Sequence, residues 1–275
     1  LGPLDQGYWP DGLLTPASDQ ALRYDIAYLK KIGANMDRMH MKVQPERWYY
    51  HCDQLGILVW QDMVSPTKFV DTKSNLNPSD FELEHNLTLD QLYNHPSIIQ
   101  WVLFNESWGQ YDTERLTAAL KAKDPTRLVI NASGWHDKKV GDIRDFHDYT
   151  IHPAIALVTK NDERAMVLGE AGGFDLLIPG HLWTPDLKTE TKLKTNWTID
   201  FKKGVVKSAD ELIEKYTILL DDLFQLKKYG LNAVVYTQIS YVEDEISGWM
   251  TYDRKVSKLP DTTFAALHQQ FLVIT

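Results

Sequence analysis

The chain has 275 residues and a formal net charge of −9 at pH 7, with 43% hydrophobic and 24% charged residues. This composition is typical of a globular protein with a sizeable core, and the acidic balance argues against a nucleic-acid-binding protein, which needs a basic face. The single cysteine, Cys52, excludes an internal disulfide framework and a cysteine-based zinc site, and no apolar run approaches the ~20 residues that cross a membrane.

Short apolar runs alternate with helical patterns through the first half of the chain. Residues 1–5 are predicted to be the end of a first strand, and Ser18 is a suitable N-cap for a helix that runs to Ile32 and is ended by Gly33. The next predicted elements, in order, are a strand over 35–42, a helix over 45–55, a strand over 57–61, a helix over 80–94 and a strand over 98–105.

The same alternation continues in the second half. The predicted elements are a helix over 113–123, a strand over 128–131, a weak strand over 145–149, a strand over 166–169, a long excursion over 174–207, a helix over 209–229, a strand over 233–237 and a final helix over 262–272. Eight strand-helix units in this length predict an α/β fold, a closed (β/α)8 or TIM barrel that forms a single domain over 1–275. No Gly-x-Gly-x-x-Gly turn or phosphate loop occurs, which argues against a nucleotide-binding sheet.

Two of the predicted strands end in a carboxylate. The strand over 98–105 ends on Asn105 and Glu106, and the strand that begins near Met166 ends on Glu170. In a barrel, the carboxyl ends of all strands meet at one face, where ligands and catalytic groups collect. Two strand-end carboxylates on one sheet are what cleavage of a glycosidic bond needs, and two structural carboxylates are the alternative.

Several short motifs follow one another along the chain. They are Arg38-Met39-His40, the run from Cys52 to Asp62, Asn94-His95-Pro96-Ser97-Ile98, Phe104-Asn105-Glu106-Ser107-Trp108, Asp124-Pro125-Thr126-Arg127 and Gly169-Glu170-Ala171-Gly172-Gly173. In these motifs the chain resembles the catalytic barrel of glycoside hydrolase family 2, the group that contains β-galactosidases, β-glucuronidases and β-mannosidases. The similarity extends from the first residue to about Lys255. Whole members of the family carry β-sandwich domains before the barrel, so we expect a barrel that lacks these N-terminal partners.

The resemblance implies a retaining β-glycosidase that removes terminal sugars from oligo- or polysaccharides. Glu106 corresponds to the family's general acid/base and Glu170 to its nucleophile, and retention requires their carboxyl groups to lie ~5–5.5 Å apart. Phe104 and Trp108 flank Glu106, and we expect them to raise its pKa by desolvation and Trp108 to contact the substrate. No cofactor is expected, and no metal either, because the nine histidines lack a metal-ligand spacing such as His-Glu-x-x-His.

The resemblance also implies three supporting residues. Arg38 falls where the family places an inward arginine that orients the nucleophile, and Asn105 where a side chain binds the sugar 2-hydroxyl. Tyr149 matches a family tyrosine near the nucleophile. A surface ion pair for Arg38 and a core position for Tyr149 are the structural alternatives.

Other candidates follow strand ends without a specific motif. His40, Lys42 and Asp62 lie at the ends of the second and third predicted strands, where they would select the sugar, and Trp135 and Trp183 would line the leaving-group side. For each of these five residues, a purely structural role in packing is as well supported as a role in binding.

Two positions depart from the family pattern. Relatives usually have phenylalanine after the nucleophile, whereas this chain has Ala171, which opens space beside Glu170. Strand alternation directs Arg38 and His40 into the barrel and Asp37 toward the helices, where a branched aliphatic residue is usual. A buried carboxylate without a partner is costly, so we expect Asp37 to destabilise the protein.

Two other classes of function remain open from the sequence. One is a carbohydrate-binding barrel that has lost turnover, against which the presence of both glutamates, Arg38 and Tyr149 argues. The other is a barrel lyase or isomerase, for which Lys42 is the only candidate base and has no evident partner. The expected partner is a carbohydrate, with no nucleic acid and no membrane involved, and the sequence does not identify the sugar, the linkage or the compartment.

Overall fold

The computed structural model describes residues 1–65, 77–153, 162–183 and 204–272. The strands are β1 Gly2–Asp5, β2 Met36–Met39, β3 Leu58–Asp62, β4 Ile98–Val102, β5 Leu128–Ile130, β6 Ile143–Asp148, β7 Ala165–Ala171, β8 Asp175–Leu176, β9 Val205–Val206 and β10 Leu231–Tyr236. The helices are α1 Asp19–Lys31, α2 Glu46–Leu55, α3 Pro78–Leu92, α4 Thr113–Lys123, α5 Ala209–Leu226 and α6 Asp261–Leu272, with a 3-10 turn at Lys227–Tyr229.

Eight of the strands form one parallel sheet in the order β5-β4-β3-β2-β1-β10-β7-β6. Each of these eight strands contributes one buried apolar residue to a single interior cluster, which consists of Leu4, Met36, Trp60, Val102, Ile130, Ile143, Val167 and Val235. Side chains from both edges of the sheet can meet in one cluster only if the sheet is curled into a barrel with a packed interior. The predicted (β/α)8 architecture is confirmed.

A second core lies between the barrel and the surrounding helices. α1 begins as predicted, because the Ser18 hydroxyl accepts a hydrogen bond from the Ala21 N–H at 3.1 Å, and the chain leaves it at Gly33 with φ +79°. α5 buries Leu212, Tyr216, Leu219, Leu220 and Leu223 along one face, the stripe expected of an amphipathic helix. Cys52 is buried in this outer core on α2.

Three carboxylates are buried between the sheet and the first helices. Asp25 on α1 pairs with the guanidinium of Arg254 at 3.1 Å, and Asp5 on β1 accepts a hydrogen bond from the Gly7 N–H at 2.6 Å. Asp37 points outward from β2 as predicted and is fully buried, and neither of its oxygens has a hydrogen-bond partner within the described part of the chain. Burial, reinforced by the charges of Asp5 and Asp25, raises the pKa of Asp37 well above its ordinary value.

The barrel has a seam between β5 and β6, the two end strands of the sheet order. Residues 131–142, which join these strands and are all described, form a loop without a helix, so this unit departs from the predicted strand-helix alternation. One backbone hydrogen bond, from the Asp142 N–H to the Val129 carbonyl oxygen at 2.9 Å, crosses the seam together with side chains. The Asp142 carboxylate accepts hydrogen bonds from the Val129 N–H at 2.9 Å and the Lys121 ammonium at 2.7 Å. Asn131 donates to the Val140 carbonyl oxygen at 2.8 Å.

The predicted excursion over 174–207 is described only at its two ends, where β8 and β9 pair in parallel as a small separate sheet. Its central part, which includes Trp197, lies outside the described residues. Among the helices that the structure describes, none has the length and apolar character required to cross a membrane.

Candidate active site

Glu106 lies four residues beyond β4 in an unusual backbone conformation. Glu106 and Ser107 have φ values of +49° and +67°, a region that side-chain-bearing residues rarely adopt and that is often found at functional sites. The turn is held by the end of the next strand, because the Glu106 N–H donates to the Ser133 carbonyl oxygen at 2.9 Å. This turn brings the Glu106 carboxyl over the barrel mouth, where its side chain is 18% exposed.

Glu170 lies on β7 and is almost completely buried. The Tyr149 hydroxyl donates to Glu170 Oε2, and the Arg38 guanidinium lies 3.5 Å from Glu170 Oε1. The sequence-based prediction that Arg38 and Tyr149 lie beside Glu170 agrees with these contacts. Both neighbours fix the orientation of the carboxylate from opposite sides.

The two glutamates face each other across the barrel mouth, with His147 between them. One donor atom from each of Glu106, His147 and Glu170 can be chosen so that all three lie within 4.8 Å of one another. The two carboxyl groups therefore lie close together, as a glycosidase with two catalytic carboxylates requires. The same three groups are also of the donor type that binds a divalent metal ion, although the Glu106 carboxyl already lies 2.7 Å from Nδ1 of His147.

Arg38 is the centre of a buried polar cluster in the barrel. Its guanidinium donates to both carboxylate oxygens of Asp62 at 3.1 and 3.0 Å, to Asn105 Oδ1 at 2.9 Å and to the Gly169 carbonyl oxygen at 2.9 Å. His40 Nδ1 lies 2.7 Å from Asp62. Burial opposes ionisation of Asp62, but the charge of Arg38 and the hydrogen bond to His40 outweigh it and lower the Asp62 pKa.

Within the part of the chain that the structure describes, the Asn105 side chain has a donor without a partner next to Glu106. Its carbonyl oxygen is bound by Arg38, whereas its buried Nδ2 has no hydrogen-bond partner within the described ranges. The same holds for the buried Nε1 of Trp108, whose ring lies 6.2 Å from that of His40. Buried polar atoms without partners are exceptional in proteins, so these two N–H donors are suited to bind a ligand hydroxyl.

Three other predicted candidates make contacts outside the Arg38 cluster. The Lys42 ammonium donates to the carbonyl oxygens of Gly7 and Leu14 at 2.5 and 2.8 Å, which ties the loop after β1 to the barrel, and burial lowers the pKa of Lys42 to about 8. The Trp135 ring, 45% exposed, packs edge-on against His147 at 5.3 Å. Trp183 lies 5.9 Å from the Tyr8 ring and so belongs to the β1 side of the barrel mouth. Their roles in sugar binding stay predictions.

His147 is the site residue that the sequence interpretation missed. It lies on β6 with its side chain fully buried, and its Nδ1 is 2.7 Å from Glu106 and 3.5 Å from Glu170. Its Nε2 lies 2.8 Å from Ser133 Oγ, which donates to Asp145 Oδ2 at 2.6 Å. Burial, despite the nearby charge of Glu170, lowers the pKa of His147 to about 4, so the ring is neutral at pH 7.

Two glycines leave space for the hydrogen-bonded side chains of His147 and Asp145. A Cβ atom at Gly169 would lie 2.3 Å from Asp145 Oδ2, and one at Gly134 would lie 2.8 Å from His147 Nδ1. Any larger residue would displace the carboxylate or the imidazole. Burial raises the pKa of Asp145 to about 7, against the opposing charge of Arg38.

Two facing carboxylates at the carboxyl ends of parallel barrel strands, beside an arginine and a hydrogen-bonded histidine, form the type of site expected of a barrel hydrolase. The family model described as "Glycosyl hydrolases family 2, TIM barrel domain" matches residues 16–167, more than half of the chain. The chain therefore belongs to this family. Glu106 lies inside the matched stretch, whereas Glu170 lies just beyond it.

Curated relatives and solved structures agree with this membership. A β-galactosidase of Leuconostoc mesenteroides is 29% identical over 125 residues, which cover 43% of this chain and 12% of that protein. A β-glucuronidase of Bacteroides fragilis is 32% identical over 120 residues, 40% of this chain and 17% of that protein. The crystal structure of a family 2 β-galacturonidase from Eisenbergiella tayi, bound to galacturonate, superposes with a TM-score of 0.74 at 17% identity, over 98% of this chain and 50% of that chain. The matched stretches thus span only a small part of the curated relatives' length.

Proposed function

We propose that this chain is the catalytic barrel of a retaining β-glycosidase that hydrolyses terminal sugars from oligo- or polysaccharides, with Glu106 as general acid/base and Glu170 as nucleophile. The observation that carries the proposal is the close approach of the two carboxyl groups across the barrel mouth, where one oxygen of Glu106 lies within 4.8 Å of one oxygen of Glu170. Paired carboxylates that approach this closely are typical of the retaining mechanism, in which the two carboxyl groups lie ~5–5.5 Å apart.

In the first step, Glu170 attacks the anomeric carbon and Glu106 protonates the departing oxygen. Arg38 and Tyr149 keep Glu170 oriented for this attack. Glu106 is suited to the acid role because burial raises its pKa above the ordinary value of a glutamate, although Arg38 and His40 oppose the shift. In the second step, Glu106 takes a proton from water, which then attacks the glycosyl-enzyme and releases the sugar with its configuration retained.

Two unpartnered donors support carbohydrate as the substrate. Asn105 Nδ2 and Trp108 Nε1 are buried at the barrel mouth beside the glutamates and are suited to sugar hydroxyls. Contacts of this kind to the 2-hydroxyl strengthen toward the transition state of glycoside hydrolysis. The names of the relatives cover galactosides, glucuronides and mannosides, so the sugar itself is a matter for experiment.

The test is hydrolysis of a panel of 4-nitrophenyl β-glycosides, with the first anomer of the released sugar identified by NMR. We expect turnover of at least one β-glycoside and initial release of the β-anomer. Release of the α-anomer would exclude the retaining mechanism. Sugar binding without turnover by the whole protein would favour a barrel that has lost catalysis.

A further inference from the structure

A chain of hydrogen bonds leads from Glu106 away from the pocket and into the barrel wall. The contacts are Glu106 Oε1 to His147 Nδ1 at 2.7 Å, His147 Nε2 to Ser133 Oγ at 2.8 Å and Ser133 Oγ to Asp145 Oδ2 at 2.6 Å. Every distance is that of a direct hydrogen bond. Ser133, Asp145 and His147 are all buried, so the far end of the chain is a carboxyl group shielded from solvent.

A neutral imidazole has one N–H and one bare nitrogen, which allows only two arrangements of hydrogens along this chain. In the first, Glu106 is protonated and donates to Nδ1, Nε2–H donates to Ser133, and the Ser133 hydroxyl donates to ionised Asp145. In the second, Asp145 is protonated and donates to Ser133, Ser133 donates to Nε2, and Nδ1–H donates to ionised Glu106. Each arrangement contains three hydrogens, so one converts to the other without gain or loss of a proton.

We propose that Glu106 and Asp145 share a single acidic proton through His147 and Ser133, and that Asp145 thereby acts as a positioning residue that keeps Glu106 in its acid form. The inference rests on the proposed function of Glu106. If both carboxyl groups were protonated, Ser133 Oγ would receive two hydrogens and its own would have no acceptor in the chain. The ionised form of Asp145 is supported by the Gly169 N–H, which donates to Oδ1 at 2.6 Å.

The proton balance closes over one catalytic cycle. In the first arrangement, the O–H bond of Glu106 breaks and an O–H bond forms on the departing sugar oxygen, which leaves Glu106 as a carboxylate. In the second half-reaction, water loses a proton to Glu106 and its oxygen bonds to the anomeric carbon while the bond from that carbon to Glu170 breaks. The Glu170 carboxylate is released and the first arrangement is restored. His147 and Ser133 keep their hydrogens throughout, so Asp145 fixes the tautomer of His147 without itself meeting substrate.

Other charged groups lie near this series of hydrogen bonds and influence which carboxyl group holds the proton. They are Arg38 and His40 from the β2 side, Asp62 from β3 and Glu170 from β7. Arg38 favours the ionised forms of both Glu106 and Asp145, whereas the charge of Glu170 favours the protonated form of Asp145. Arg38 acts on both ends, and Ser133 donates one hydrogen bond in either arrangement. The Gly169 N–H, which donates to Asp145, therefore favours the arrangement in which Asp145 is ionised.

Asp145→Asn tests the proposal directly. The Gly169 N–H requires the amide oxygen at the Oδ1 position, so the amide NH2 group takes the Oδ2 position and donates to Ser133. Ser133 must then donate to Nε2, which places the hydrogen of His147 on Nδ1 and holds Glu106 as a carboxylate. We expect 15N NMR of the full chain, with the His147 signal identified from a His147→Gln spectrum, to show Nε2–H in the unmodified protein and Nδ1–H in Asp145→Asn.

Kinetics with two substrates distinguish an effect of Asp145 on the acid function of Glu106 from a purely structural effect. An alkyl glycoside needs protonation of its leaving oxygen, so its kcat/KM in Asp145→Asn should fall by about 10²-fold, the lower end of what general acid catalysis contributes. The first step with a 2,4-dinitrophenyl glycoside, which needs no proton, should stay within about twofold. Ser133→Ala disconnects the chain, so Ser133→Ala/Asp145→Asn should cleave the alkyl glycoside better than Asp145→Asn alone.

The proposal is overturned by an unchanged His147 tautomer in Asp145→Asn, by equal losses on the two substrates, or by a double variant that cleaves the alkyl glycoside no better than Asp145→Asn. An unmodified protein that cleaves no glycoside would contradict the proposed function alone. The tautomer measurement needs no substrate and therefore still decides whether the two carboxyl groups share a proton.

Discussion

Replacing Asp37 by valine should stabilise the protein by on the order of 1 kcal/mol or more at pH 7. Asp37 is fully buried on the outer face of β2, and neither of its oxygens has a partner in the described ranges. The neighbouring carboxylates Asp5 and Asp25 add to the cost of ionising it. Valine supplies apolar contact to the outer core and suits a strand, and the small increase in side-chain volume offsets part of the gain.

The size of the effect depends on pH, and its sign follows from proton binding. Since the pKa of Asp37 is raised in the folded state, the folded protein keeps this proton at pH values where the unfolded chain has lost it. The folded state then binds more protons, and its stability falls as pH rises above the ordinary aspartate pKa, by about 1.4 kcal/mol per pH unit until the folded group ionises. The gain from Asp37→Val should therefore be smallest near pH 4 and grow toward pH 7.

Urea unfolding at pH 4, 5.5 and 7 measures this directly, with Asp37→Asn as the matched control. Asparagine keeps the shape and polarity of the side chain but cannot ionise, so it should recover only the pH-dependent part of the gain. A lower unfolding free energy for Asp37→Val would refute the reasoning and reveal a contact that the carboxylate makes. An equal gain at all three pH values would show that ionisation is not the source of the cost.

Three further outcomes follow from the same structure. Glu106→Ala should be rescued by azide on an activated aryl glycoside to give a β-glycosyl azide, whereas Glu170→Ala should give the α-azide; swapped products in NMR would reverse the two roles. Arg127→Ala should lower the unfolding free energy by roughly 3–5 kcal/mol in urea titrations, because Arg127 pairs with Asp124 at 2.7 Å and also binds three backbone carbonyl oxygens; a loss below about 1 kcal/mol would show a solvated pair. Burial lowers the pKa of His268 to about 4, so the unfolded chain binds the extra proton between pH 6.5 and 4 and stability falls as pH falls through that window. His268→Gln should flatten this slope by about 1.4 kcal/mol per pH unit in unfolding experiments, and an unchanged slope would assign the acid sensitivity elsewhere.

Local patterns were sufficient for the parts of the site that end apolar strands. Glu106 and Glu170 follow buried runs on β4 and β7, and Arg38 alternates with outward-facing Asp37 on β2. For Arg38 and Glu170 the neighbours along the chain determine the side-chain direction, because strand geometry alternates with a period of two. The same rule correctly placed Asp37 in the outer core. The direction of Glu106 is set instead by the left-handed turn after β4.

The hydrogen-bonded series His147, Ser133 and Asp145 behind Glu106 was harder to predict from the sequence. β6 carries Asp145 and His147 on its inner face, and such a polar strand has no apolar alternation to mark it as buried. The period-two spacing of Asp145, His147 and Tyr149 was the available signal. Their burial depends on residues distant in sequence, such as Gly169, which no local pattern predicts.

Lys42 illustrates the same limit for loops. Its position after β2 suggested a role in sugar selection, and its ammonium is engaged by the carbonyl oxygens of Gly7 and Leu14. The conformation of the loop after β1, which turns these two oxygens toward Lys42, is set by tertiary contacts. Spacing along the sequence contains no information about them.

Thermal inactivation should begin with local opening of the seam between β5 and β6. A backbone ladder resists opening along its whole length, whereas the seam is held by one backbone hydrogen bond and a few side chains, including the Ser133–Asp145 contact. Local opening of such a region needs less free energy than global unfolding. Since that contact also connects Glu106 to its proton partner, warming should weaken the acid before the barrel melts. Catalytic activity would then be lost at temperatures where circular dichroism still shows a folded chain.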